Sequence, residues 1–505
     1  MKKWLSLLTP LAVAFILCLG AMGVFTEKAF ADSGDLTVIC PVDGNNVQVN
    51  FYYEKNEGEP VGHLYYMNGD TKVVIKNTQN AVTYSAIKNT ASPSDETDAI
   101  GPEVEALLKA TGFVPAENTK YLVTVKSNDG KNSTFTWDEL FKTERYTFPN
   151  AKMPKDPEED GFAVTEAQKE GAVAVPVIID LAISKDKPAN TFCFGQVSPT
   201  ERTRPAFVKN VISTKNTTPS ITVEAVENYE QISNESDAVV SVPNNSTIEI
   251  GTEIRFGGDA KTSPYETENT PLHNLYYTTD GSEPTLESGL YNWYSYYQES
   301  AEFYYKYNSI VADKLGTLKI RTKAYRHGYL PNEKTFTYHV VADFAKIKGQ
   351  LTLDKTKVVA GSKPSATVKA EGKTLKANTD YTVNFGNYKK VGTATVAVTG
   401  KGNYIGKLSK TYKVIPAKAK FKSVKAGKKK ATIVIVSQKA SGVTKYQIAY
   451  KLKTAKKWKT TTTTSTKKVI KKLKKGKKYN FKVRAYGKTG YGAYSAVKTI
   501  KIKKK

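Results

Sequence analysis

The chain reads as a mostly β, multi-domain protein, with a mixed α/β N-terminal domain followed by β-sandwiches. Three observations predict this. Its 505 residues exceed what one hydrophobic core serves and imply three or four domains. Alternating runs such as Thr393-Ala394-Thr395-Val396-Ala397-Val398 put apolar side chains on one face of a half-buried strand. Turn signals recur between such runs at the short intervals that tandem sandwiches require.

Charge is concentrated at one end. Residues 416–505 contain thirty of the 75 Lys and Arg residues and no Asp or Glu. The rest of the chain holds 45 basic and 48 acidic residues, a net of −3, although the whole carries +27. A basic module on a near-neutral body is attracted to polyanions, less so as salt rises. The asymmetry points to a body with a cationic end, and away from a nucleic-acid enzyme.

The N-terminus starts Met1-Lys2-Lys3, runs apolar from Trp4 to Phe25 and then reads Ala29-Phe30-Ala31. These are the three parts of a secretory signal, cleaved after Ala31. The apolar run approaches the ~20 residues that span a bilayer, so an uncleaved anchor is the alternative. Cys18 follows Phe15-Ile16-Leu17 and lacks the small preceding residue of a lipoprotein site. The chain is therefore read as secreted or cell-surface associated. Cleavage leaves Cys40 and Cys193, an exported pair able to form one disulfide, with two buried thiols as the alternative. His63, His273, His327 and His339 have no zinc-site spacing.

Residues 32–220 mix element types. Pro102 near a first turn, Leu107-Leu108 and Gly112 past the last turn predict a short helix. Thr136 and Glu139 have the spacing of a capping box. Leu122 to Val125 reads as a strand and Asn128-Asp129-Gly130 as a turn. A strand at Thr83-Tyr84-Ser85 precedes them, and Pro176-Val177-Ile178, Phe194-Gly195-Gln196 and Phe207-Val208-Lys209 follow. In this order the elements resemble the sulfite-oxidase-like molybdopterin-binding fold, in the degenerate branch joined to chitobiase-type sandwiches in secreted proteins of anaerobic Firmicutes. That family ligates molybdenum through a Cys thiolate in a Cys-Ala-Gly-Asn loop. The best-matching position here is Ser85-Ala86, and a hydroxyl is a poor soft-metal ligand. Cys193 lies away from that loop, and only Arg202 and Arg204 stand near it where the family has arginine-rich pterin contacts. The resemblance implies the fold without the cofactor.

Residues 221–346 carry a strand at Tyr276-Tyr277-Thr278, an Asp280-Gly281 turn and closing strands around Leu318 to Tyr325 and Phe336 to Val340. They resemble the immunoglobulin-like domain at the C-terminus of chitobiase and related β-hexosaminidases, an accessory sandwich. Asp280 and Glu283 flank the turn glycine, which gives them a turn role rather than an acid-pair role. An aromatic insertion runs from Tyr291 to Tyr307. Within it Trp293, Tyr297, Ala301 and Tyr304 fall at helical spacing, as a packed amphipathic helix requires. The alternative is ligand stacking by Trp293 and Tyr297 on sugars.

Residues 347–415 combine Asp380 to Val383, Val391 to Val396 and Gly400 to Gly406. They resemble a short β repeat of surface proteins from Gram-positive anaerobes, with glycines at turns and Asn403 suited to positive φ. In residues 416–505, Leu473 caps a core and Gly476 turns the chain, while Tyr479, Phe481, Val483 and Ala485 share one strand face. Lys482 and Arg484 alternate with them toward water. Lys471, Lys472, Lys474 and Lys475 are read as strand-face lysines with no internal partner. This segment resembles a fibronectin type III domain. Tyr479 takes the tyrosine-corner position, Ala431 to Val436 strand B and Tyr446 to Tyr450 strand C. The Trp of strand B is missing, so Ile433 or Ile435 must fill the core.

Catalytic patterns are weak. Ser85 and Lys88 form a Ser-x-x-Lys, and Lys488-Thr489-Gly490 a Lys-Thr-Gly, but they are far apart in separate modules. No nucleophile stands with a positioned base, and no barrel-sized region remains for a glycosidase carboxylate pair. The sequence therefore predicts a mostly β multi-domain protein with a mixed α/β sulfite-oxidase-like N-terminal domain, followed by immunoglobulin-like and fibronectin-like β-sandwiches. It is read as an exported, non-catalytic binding or scaffold protein with no cofactor, held at the envelope by its cationic end. The expected partner is an anionic cell-wall polymer or glycan, not a specific nucleic acid, with membrane contact only through an uncleaved signal. The alternatives are a molybdopterin-binding redox enzyme and a carbohydrate-binding accessory protein.

Overall fold

A computed structural model describes residues 34–78, 82–84, 97–151, 164–182, 190–201, 203, 206, 208–212, 217–232, 240–256, 274–291 and 309–504. The signal with its cleavage site at Ala31, the Ser85 to Lys88 segment, Arg202, Arg204, His273, and Trp293 with Tyr297 lie outside the described residues.

Two units divide the chain. The first comprises Met1–Val239, Phe256–Asn308 and Arg321–Lys334. Its main element is a seven-stranded sheet in the order Thr71–Ile75, His63–Asn68, Asn45–Glu54, Leu36–Val42, Ser220–Val226, Lys120–Lys126 and Asn132–Thr136. Leu36–Val42 runs parallel to Ser220–Val226, and the other neighbours are antiparallel. The strand Ser220–Val226 thus belongs to the N-terminal sheet, and the expected module junction at 220 falls on its first residue. The period-two pattern of Leu36, Val38 and Cys40 turns these side chains inward onto Phe51, Val123, Phe135 and Ile221. Burying each large apolar side chain is worth about 1.5–3 kcal/mol.

The predicted helix is present as Val104–Ala110, whose buried face is Val104, Leu107 and Leu108. Gly112 follows it at φ 84°, where a side chain would be strained. The capping box also forms. Thr136 N–H donates to Glu139 Oε2 at 2.7 Å and Glu139 N–H to Thr136 Oγ1 at 3.1 Å, opening the single-turn π-helix Asp138–Lys142. Among the described residues of 32–220, the only other α-helix is Glu166–Lys169. The mixed α/β expectation therefore gives way to a predominantly β region. Among the described residues of this region, Val104–Ala110 is the helix with a buried apolar stripe, whereas Glu166–Lys169 buries no residue.

The Cys40–Cys193 bridge is not formed. Cys40 is a free thiol in the main core, whereas Cys193 packs in a separate cluster with Ala99, Val175 and Ile178. Burial pushes the Cys40 thiol up to about 11, against a smaller opposing effect of a hydrogen bond with Thr111. In the same unit, Asn274–Thr278 pairs with residues 321–325. Asp280 serves the turn as expected, its Oδ1 accepting the Ser282 N–H at 2.9 Å, and Glu283 pairs with Lys323 at 2.7 Å.

The second unit comprises Val240–Arg255, Ser309–Ile320 and Thr335–Lys505. Thr247–Glu249 lies parallel to residues 339–341, and Glu253–Ile254 pairs with Ile310–Val311. Residues 347–415 form a small sandwich. One sheet is Gln350–Leu353, Ala366–Ala370 and Lys373–Thr374; the other is Lys357–Val359, Lys407–Ile415, Gly392–Gly400 and Tyr381–Gly386. Ala394, Val396 and Val398 point into its core, as their alternation predicts. Asn403 does not take positive φ. Its neighbours Gly402 and Gly406, at φ 63° and 85°, make the turn instead.

The C-terminal sandwich, 416–505, stacks Phe421–Gly427, Lys430–Ile435 and Lys467–Ile470 against a sheet of Lys459–Thr463, Val443–Leu452, Lys478–Gly487, Gly490–Tyr491 and Lys498–Lys501. Ile433 and Ile435 are both buried and fill the place of the missing Trp. Val391 of the preceding sandwich packs into this core, and Thr489 Oγ1 donates to Val414 O at 2.6 Å. The Lys-Thr-Gly run is thus a hairpin that braces the junction between the two sandwiches.

Candidate functional site

The strand Lys478–Gly487 has two faces with separate tasks. Its inward row, Tyr479, Phe481, Val483 and Ala485, is buried. The Tyr479 hydroxyl accepts the Lys474 N–H at 3.1 Å, closing the predicted tyrosine corner over the Gly476 turn. The outward row holds Lys482 and Arg484. The neighbouring strand places Ala449 opposite Lys482 and Gln447 opposite Arg484.

The outward cations do not project freely into water, as the alternation alone suggested. Lys482 Nζ lies 4.4 Å from the Trp458 ring centroid and 4.4 Å from that of Tyr494. The Arg484 guanidinium carbon lies 3.9 Å from the Tyr491 centroid and 4.5 Å from that of Tyr494. Lys451 sits over Trp458 at 5.2 Å and Lys445 over Tyr486 at 4.3 Å. Gln447 Oε1 accepts both Arg484 Nε–H and the Tyr494 hydroxyl, each at 2.7 Å. The face is a ladder of alternating cations and rings, each contact worth about 0.5–1 kcal/mol at a half-exposed site. Ring quadrupoles fix the cations without neutralising them, and the domain has no carboxylate to do so. Lys471, Lys472, Lys474 and Lys475 differ: they lie in the connection before Lys478, not on a strand face.

The first unit holds a cavity of about 620 Å³, lined in part by Glu139, Arg145, Glu201, Arg326, His327 and Tyr329. Glu139 accepts from Thr136 N–H, from Gly328 N–H at 2.9 Å and from His327 Nδ1 at 3.2 Å. Burial opposes its charge, but the His327 contact and these backbone donors outweigh it and hold the carboxyl below the usual carboxylate range. Arg145 forms a buried pair with Glu201 at 3.2 Å and donates to the carbonyls of Glu139 and Gly195. Glu139, Arg145 and Glu201 are thus engaged with one another's neighbourhood, and Ser133, Thr134 and His327 share the same lining. The volume is that of a small-molecule site, and no local pattern announces it, since Glu139 and His327 are 188 residues apart. Cys40 and Cys193 are both fully buried, each in its own apolar cluster, and burial disfavours the thiolate form.

Residues 431–501 match the family model described as "Fibronectin type III domain", and these residues are such a domain. The match covers residues 431–501 alone. The solved structures similar to part of the chain include the following three. A chain titled "Myokine structure" is 17% identical, with 18% of this chain and 96% of that one covered at a TM-score of 0.16. The solution structure of the fibronectin type-III domain of human fibronectin type III domain containing protein 3 is 22% identical, with 18% and 86% covered at 0.16. The twitchin kinase region from C. elegans is 19% identical, with 17% and 16% covered at 0.15. No curated protein matches. The chain is a multi-domain, mostly β protein with a C-terminal fibronectin type III domain, a module type that is generally non-catalytic and suits a binding or scaffold role.

Proposed function

We propose that this chain is an exported, non-catalytic binding and scaffold protein, held at the cell envelope by its cationic C-terminal domain. The observation that carries this reading is the set of thirty basic residues, with no acid among them, displayed on one folded sandwich. Such a surface has a high positive potential and attracts an anionic wall polymer. The Met1 to Ala31 signal supports export. The residues between the signal and the C-terminal domain are proposed as a cofactor-free sulfite-oxidase-like head, a chitobiase-type sandwich and a surface repeat. A molybdopterin enzyme ranks lower because Ser85 stands where the family needs a thiolate. A carbohydrate-binding accessory protein ranks lower because Trp293 and Tyr297 fall at helical spacing.

The test is retention of the full chain on isolated cell walls, with and without their anionic polymer, across a salt series. Retention should require the polymer and fall steeply toward about 0.5 M salt, where the Debye length is about 4 Å. Retention indifferent to both would identify a specific receptor and refute the reading.

A further inference from the structure

Most lysines of the C-terminal domain extend from loops and strand edges, and such a shell attracts any polyanion. The ladder is different. Lys482 and Arg484 sit two residues apart on one strand, a spacing of about 6.8 Å. Each is clamped between two rings, and Arg484 is further oriented by Gln447. Fixing a free Lys or Arg side chain costs up to about 2 kcal/mol of rotamer freedom. Here that freedom is already lost on folding, which favours a ligand that meets both cations at once. Arg484 Nε is engaged by Gln447, which leaves the two Nη groups as a fork for one phosphate.

The same contacts restrict the ligand class. Trp458 and Tyr494 each carry two cations over the ring, so a pyranose or nucleobase that stacked where those cations lie would have to displace them. Stacking on free ring faces is what sequence-tolerant single-strand nucleic-acid binding uses. A ligand of this face is held through its charges, and its charges must recur at short intervals along a thin chain. Resting on the reading of this domain as an anionic-polymer anchor, we propose that the Lys482–Arg484 row is the subsite for a linear polyol-phosphate chain, with successive phosphates seated on the two cations.

The test uses the full chain and an immobilised poly(glycerol phosphate) oligomer at constant salt. The double variant Lys482→Gln/Arg484→Gln is compared with Lys474→Gln/Lys475→Gln, which removes the same charge from the connecting loop. Thermal unfolding checks that both remain folded. The ladder variant should bind about tenfold or more weakly and the loop variant less than about threefold, since only the ladder holds oriented charge-assisted donors. Tyr494→Phe, which removes one of the two donors that position Gln447 without changing charge, should also weaken binding and keeps the test open if the double variant unfolds. Equal losses in the two doubles, with Tyr494→Phe unchanged, would overturn the ladder subsite while leaving the charge-driven anchor intact. A wild-type chain that binds dextran sulfate but not poly(glycerol phosphate) would overturn the ligand class. A wild-type chain that binds neither polymer would refute the anchor reading itself.

Discussion

The Tyr479 hydroxyl accepts the Lys474 backbone N–H at 3.1 Å, tying the last inner strand to the turn that precedes it. The same geometry occurs in the first unit, where Tyr121 accepts the Ala116 N–H at 3.1 Å. In both, a buried aromatic body carries one polar tip, and the tip closes the loop leading into its own strand. Tyr479→Ala should cost about 3–5 kcal/mol, and Tyr479→Phe only about 0.5–1.5 kcal/mol, the net worth of one hydrogen bond. Chemical unfolding of the full chain with Trp4, Trp137 and Trp293 replaced by Phe, followed by the fluorescence of Trp458 as the one tryptophan, checks both values. Equal effects of the two substitutions would show that the ring is not packed.

Glu201 is the sole carboxylate partner of Arg145 among the described residues, and both side chains are almost fully buried. Glu201→Gln should destabilise the first unit by about 3–5 kcal/mol, because it leaves a buried guanidinium without its counter-charge. Replacing both residues with apolar side chains of similar size should cost less than the single change. Chemical unfolding of the three variants decides it.

Glu139 gives a pH dependence of known sign. Its carboxyl is held below the ordinary value in the folded chain, so the unfolded chain binds the proton more readily. The resulting stability is fully present above the unfolded value of about 4.3 and is lost as pH falls through the depressed folded value. The stability gap between wild type and Glu139→Gln should therefore be widest near neutrality and narrow in acid. A gap that widens as pH falls would contradict the hydrogen-bond set described.

Cys40 and Cys193 should both remain unmodified by iodoacetamide in the folded chain and react after unfolding without reductant. Burial and the elevated thiol value of Cys40 keep it protonated and inaccessible near pH 8. Peptide mapping that joins the two cysteines would contradict their placement in separate clusters.

The C-terminal domain was the most legible part of the sequence. Gly476, Tyr479 and the alternation through Ala485 identify a turn, a corner and a strand face locally, and each forms where expected. The Thr136–Glu139 box was legible for the same reason, being a contact between near neighbours. What escaped depends on partners distant in sequence. Nothing around Lys482 or Arg484 shows that Trp458, Tyr491 and Tyr494 will cover them, since those rings arrive from other strands and loops. The Glu139–His327 contact is hidden for the same reason. Ser220–Val226 resembles the start of a new module because its pattern is that of any half-buried strand, and only pairing with Leu36–Val42 and Lys120–Lys126 assigns it to the first sheet.

The proposed anchor in the C-terminal domain works through charge. It is tested most directly by the affinity of the full chain for poly(glycerol phosphate), measured as log K against log salt concentration. A charge-driven anchor should give a straight, steep decline whose slope reflects the counterions released, and a shallower slope for Lys482→Gln/Arg484→Gln. An affinity that stays level across the salt range would contradict it.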